Sequence, residues 1–172
     1  MKTIETKVYE YDELSKEAQE KAREWYSQGN DYPFLSGDMH ETLETLLKDC
    51  KWKCEDPKVY YSLSYSQGDG AMFEGTVHFT YKKRKYIANV RQSGHYYHYN
   101  SKAFDIVTDN DDQEEIYSED VRAYFNNNYV NMCEKLAKAG YKYIEWEDAE
   151  ENIAENIRAN EYTFTEDGKR FG

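Results

Sequence analysis

The chain is short of leucine, of cysteine and of long apolar runs: its 172 residues include seven leucines and three cysteines. No stretch approaches the length of a membrane span, and Lys2, Glu5 and Lys7 interrupt the first residues where a secretory signal would need an apolar core. A cytoplasmic protein with no membrane contact is the expectation. Cys50, Cys54 and Cys133 make an odd count, so free, buried thiols are expected and a disulfide framework is not.

With leucine scarce, buried area has to come from aromatic residues, which make up 16% of the chain and include 18 tyrosines. A phenol buried in a core needs a partner for its hydroxyl, so part of this tyrosine set is expected at the surface, where it suits a binding face. The length fits one domain with a core of its own.

The formal net charge is −12 and is unevenly placed. Residues 1–104 carry 16 acids and 15 bases, whereas residues 105–172 carry 18 acids against 7 bases. Such a field repels nucleic acid and membrane headgroups and draws basic partners toward the last part of the chain.

Periodicity gives an α+β reading, an antiparallel sheet of about four to six strands packed with about four helices in a single domain. Residues 1–56 read as a strand over 4–10 and two helices, the first capped by Ser15 and running to about Gln28, the second starting at Ser36 or Asp38. Residues 57–108 read as an antiparallel meander: alternation from Val59, a break at residues 67–70, alternation from 71 to 81, a basic turn at 82–85, a strand over 86–91, and an aromatic strand from His95 to about Val107. Residues 109–172 read as an acidic, mainly helical part. It comprises an acidic connector over 109–115, a helix from Ser118 to about Ala139 closed by Gly140, a short strand over 141–146, a helix over 148–159 and an extended end at 162–165.

Catalytic and metal signatures are weak. His95 and His98 lie three apart, which on a strand turns them to opposite faces, and Cys50 and Cys54 lack two further ligands for zinc. No Gly-x-Ser-x-Gly elbow occurs, so neither an enzyme nor a cofactor is expected. The glycines of residues 66–70 precede a strand rather than a helix, which favours a tight turn over a phosphate loop. A second use of that turn is a ligand loop, with Gln67 and Asp69 facing His95, Tyr97 and His98. The candidate partner-binding residues are the carboxylates Asp109, Asp111, Asp112, Glu114 and Glu115, followed by Glu147, Asp148, Glu150 and Glu151. Together they would offer a basic channel a band of charge like that of a nucleic-acid backbone.

Three stretches, residues 9–26 (YEYDELSKEAQEKAREWY), 64–75 (SYSQGDGAMFEG) and 159–171 (ANEYTFTEDGKRF), resemble small acidic accessory proteins encoded by bacteriophages and prophages. The resemblance implies a phage protein acting in the bacterial cytosol, and carries over no activity and no site residues. Small acidic phage proteins often resemble decoys for nucleases. The expected function is therefore inhibition of a host defence nuclease, anti-CRISPR or antirestriction, by a stoichiometric acidic mimic of nucleic acid. Its partner would be a host nucleic-acid-binding defence protein, a CRISPR effector or a restriction enzyme, with no direct nucleic-acid contact. The alternative is a phage protein that binds or sequesters a nucleotide signal.

Overall fold

Residues 2–172 are described by a computed structural model, and among them the chain is α+β, with four α-helices, a four-stranded antiparallel sheet and a two-stranded sheet. Contacts gather these residues into two compact units, one of residues 2–33 with 144–172 and one of residues 34–143. The grouping differs from a division at residues 56 and 108, because residues from the two ends of the sequence pack on one another.

The unit built from both ends starts with β1 (Tyr9–Glu10) and α1 (Lys16–Gln28). Ser15 caps α1 as its position predicts, its hydroxyl accepting from the Ala18 N–H at 3.2 Å. Residues 4–8 do not extend the strand: β1 pairs with β6 (Thr163–Phe164), which offers only two residues of ladder. Between them comes α4 (Glu150–Ala159), whose Ile153, Ala154 and Ile157 pack with Ala18, Ala22, Tyr11 and Phe164. Trp25 meets Tyr162 edge-on at 5.4 Å, and the Arg170 guanidinium lies 4.4 Å from the Tyr162 ring centre. Gly168 has φ +84°, and a Cβ there would stand 2.2 Å from the Ala18 carbonyl oxygen, so this position requires glycine.

In the other unit, α2 (Leu35–Asp49) begins one residue before Ser36, with Phe34 at its cap and no side-chain capping bond. The sheet runs β2 (Lys53–Ser62), β3 (Gly70–Tyr81), β4 (Arg84–Gln92) and β5 (Lys102–Thr108) in simple meander order. The strand expected from Val59 begins earlier, at Lys53, because Pro57 sits at a bulge between Glu55 and Lys58 on the edge of the sheet, where its missing N–H does no harm. Phe73, Val77 and Phe79 are buried on one face, as their alternation predicts. Lys82 and Lys83 form the two-residue turn between β3 and β4, both with positive φ.

Further expectations from local sequence fail. The helix thought to stop at Gly140 is α3 (Glu119–Glu147), which continues through the predicted strand at 141–146. Gly140 stays helical because its bare Cα admits Leu63 and Met39, whose atoms would lie 2.4 and 2.8 Å from a Cβ, so close packing overrides glycine's tendency to end helices. The strand predicted from His95 begins only at Lys102. Residues 93–101 form a loop instead, closed by the Ser93 N–H donating to the Ser101 carbonyl at 2.5 Å and turned by His98, whose Nδ1 accepts from the Asn100 N–H.

The tyrosine buried deepest in this core is satisfied by backbone, although the buried Trp52 Nε1 has no hydrogen-bond partner among the described residues. Phe125 of α3 stacks on Trp52 at 5.0 Å with the rings 7° from parallel. Tyr129, fully buried, donates to the Phe73 carbonyl at 2.6 Å and accepts from the Phe73 N–H at 3.1 Å. All three cysteines are free, and burial pushes the thiol of Cys54 up to about 11 and that of Cys133 up to about 12, leaving both protonated and unreactive at neutral pH.

Two substitutions test this account. Gly168→Ala is expected to destabilise by about 2–4 kcal/mol in urea titrations, through backbone strain and collision with Ala18. Lys83→Gly, which relieves a left-handed lysine in a two-residue hairpin turn, is expected to stabilise by about 1 kcal/mol.

Candidate functional site

The turn after β2 is organised by a carboxylate. Asp69 accepts from the Ser64 and Ser66 N–H groups at 2.6 and 3.0 Å, from the hydroxyls of Ser62, Ser64 and Ser66 at 3.0–3.1 Å, and from the Tyr141 phenol. Tyr141 in turn accepts from the Tyr65 N–H at 3.3 Å, tying α3 to the turn. Desolvation alone would raise the pKa of Asp69, but the donors from Tyr141 and the serines outweigh it and hold the carboxyl far below the usual range. Asp69, read from sequence as a possible ligand contact, is thus occupied in shaping its own loop.

The predicted ligand loop does come together. Gln67 and Asp69 line two adjoining open clefts with the residues of the 93–101 loop. One, of about 350 Å³, is bordered also by Tyr61, Ser62, His95 and Tyr97; the other, of about 410 Å³, by His98 and Asn100; Tyr96 borders both. The two histidines therefore fall in different clefts, and among the described residues no group of three or more His, Cys, Asp or Glu is placed to hold a metal ion. Glycine makes the loops fit: a Cβ at Gly68 would come within 2.9 Å of the Tyr96 ring, and one at Gly70 within 2.6 Å of His98.

The tyrosine run beside Gly94 reads from sequence as a face that is half core and half recognition surface and includes Tyr96, whereas nothing in the sequence singles out Tyr65. Tyr96 is 61% exposed, Tyr97 43% and Tyr65 69%, in a chain whose other large aromatics are mostly half-buried or buried. Tyr97 stacks on Tyr60 at 5.4 Å, Tyr65 leans on Tyr141 at 4.6 Å, and the Tyr60 phenol donates to Glu74 at 2.9 Å. The exposed rings are thereby held from behind.

The carboxylates proposed from sequence divide between the two units. Asp109, Asp111, Asp112, Glu114 and Glu115 are exposed on an ordered connector after β5. Thr108 N–H donates to the Glu114 carbonyl at 2.9 Å, Asn110 accepts from the Gln113 N–H, and Ile116 returns to Ile106 at 2.8 Å. Asp109 approaches His78 at 3.3 Å, and Tyr117 donates to Glu115. Among the described residues no cation lies within ion-pair distance of Asp111, Asp112 or Glu114. In the other unit, Glu147 ends α3, and Asp148 accepts from the Tyr32 phenol at 2.8 Å. Glu150 pairs with Arg23 at 3.7 Å, while Glu150 and Glu151 occupy the first turn of α4 and complement its dipole. In the first group Asp109 and Glu115 have local partners, while Asp111, Asp112 and Glu114 have no cation within ion-pair distance among the described residues.

No protein-family model, curated protein or solved structure matches the chain.

Asp69→Ala is expected to lower stability at neutral pH. A depressed carboxyl pKa contributes stability that is present above the unfolded value of about 4 and lost as pH falls through the folded one. The gap in urea midpoint between the wild type and this variant should accordingly narrow as pH drops below about 4.

Proposed function

We propose that this chain is a non-catalytic, stoichiometric protein binder that docks on a basic nucleic-acid-handling protein, and that it acts as a phage-encoded inhibitor of a bacterial defence nuclease of the CRISPR or restriction class. The observation that carries this reading is the connector over residues 109–115. It presents Asp111, Asp112 and Glu114 to solvent on a hydrogen-bonded frame; Arg84 and Lys85 share a cleft with Glu114, but among the described residues no cation comes within ion-pair distance of the three, and no helix terminus calls for them. A fixed array of like charges supports competition for a cationic groove better than a flexible acidic tail does, because its ordering cost is met before binding. The exposed tyrosines add rigid, amphipathic contact area of the kind that anchors protein interfaces.

The nucleotide-binding alternative has one observation in its favour, the shared lining of the clefts by residues 67–69 and 95–98. Against it, the carboxylate in that lining is Asp69, and no lysine or arginine among the described residues stands there to meet a phosphate. Cyclic dinucleotides are expected to leave the melting temperature unchanged, whereas a sequestered ligand at a hundred times its Kd would add about 2.7 kcal/mol.

The direct test is capture from bacterial lysate at low salt. The wild type should retain a nucleic-acid enzyme and release it steeply as salt rises. Replacing Asp111, Asp112, Glu114 and Glu115 together by lysine should abolish retention; unchanged capture and salt response would overturn the proposal.

A further inference from the structure

The hydroxyls around Asp69 have acceptors for their protons within the cluster. Ser62 and Ser66 each direct a proton at the carboxylate, at 3.1 and 3.0 Å, as does the Tyr141 phenol. Ser64 directs its proton at Asp69 or at Ser66, which lies 2.8 Å away. What these groups leave facing the cleft is lone pairs. The serine rim of the clefts is therefore rich in acceptors and backed by the Asp69 negative charge, which disfavours an anion such as phosphate there.

Above that rim stand the exposed rings of Tyr96 and Tyr97, with Tyr61 beside them. An aromatic face attracts cations, and a guanidinium best meets both demands at once: it is planar, stacks on phenols, carries five donors and has no acceptor. The clefts, about 350 and 410 Å³, match a side chain rather than a whole domain, and their openness lets such a side chain enter from a flat protein surface. The parts are already set. Gly68 lets the Tyr96 ring lie against the turn, Tyr60 backs Tyr97, and the Ser93–Ser101 bond closes the loop.

From these observations we infer that the clefts flanking Tyr96 form a receptor for an arginine side chain projecting from the protein partner, with Tyr96 and Tyr97 stacking on the guanidinium and Ser62, Ser66 and the Gln67 amide oxygen accepting its protons. The inference rests on the reading of the partner as a basic protein, and it supplies the short-range specificity that a diffuse acidic surface does not. Carboxylates on the connector attract any cation, whereas the tyrosine clefts distinguish arginine by shape.

The test is an NMR titration of the full chain with the peptide acetyl-Gly-Ser-Arg-Ser-Gly-amide, and with the same peptide carrying citrulline, which keeps the planar shape and removes the charge. The arginine peptide should shift the Gln67 side-chain amide and the Tyr96 and Tyr97 signals saturably, and the citrulline peptide should bind at least about tenfold more weakly. Tyr96→Ala with Tyr97→Ala should weaken the arginine peptide by about tenfold, while Tyr96→Phe, which keeps the ring, should restore most of the affinity. Equal binding of the two peptides, shifts confined to residues 109–115, or a phosphate ester that displaces the peptide from the clefts would each overturn the inference. Capture of a nucleic-acid enzyme that persists undiminished in the Tyr96→Ala, Tyr97→Ala variant would overturn it too, leaving the broader reading intact. Arginine-specific binding without any enzyme captured would sink only the nuclease reading.

Discussion

Asp69 is an anion surrounded by donors, and the turn between β2 and β3 takes its form from that fact. Two backbone N–H groups, three serine hydroxyls and a phenol from α3 converge on one carboxylate. Charge-assisted hydrogen bonds are roughly twice as strong as neutral ones, so the convergence fixes a segment that glycine would otherwise leave loose. Everything proposed for the clefts follows from it: the direction of the serine protons, the seat of Tyr96 over Gly68, and the negative charge beneath the aromatic rim.

A second constraint is the supply of apolar side chains. Few leucines leave the core to phenols and indoles, which bring polar atoms with them. Tyr129 meets this demand through both polar groups of the Phe73 backbone, and Tyr60 and Tyr141 meet it through carboxylates. The same chemistry that fills the interior thus organises the surface, since the buried or half-buried tyrosines support the exposed ones by stacking.

Much of this architecture is legible in the order of residues. Ser15 at a helix start, the period-two run through Phe73, Val77 and Phe79, and the meander order all follow from local pattern. What escapes is decided at a distance. Nothing near Gly140 says that Met39 and Leu63 will press on it, and nothing near His95 says that the chain will close on Ser101 rather than pair as a strand. The candidate site is half visible: the sequence supports a tight turn at residues 66–70 and its partnership with the histidine-tyrosine run, but it does not show that the Asp69 bonds go to its own loop. Its role depends on Tyr141, 72 positions along the chain. The acidic residues were visible as charge, but not as two groups belonging to different units.

The unit that joins residues 2–33 to residues 144–172 imposes an order of events during synthesis. As the polypeptide leaves the ribosome, Ala18 and Ala22 emerge early, long before Ile153, Ile157 and Gly168 exist to cover them. The segment 34–143 holds its own partners and is free to collapse in the interval. Helix α1 thus waits for its partners until residues 150–164 have been made, with Trp25 and Tyr26 beside its alanines as the apolar surface left open in the interval.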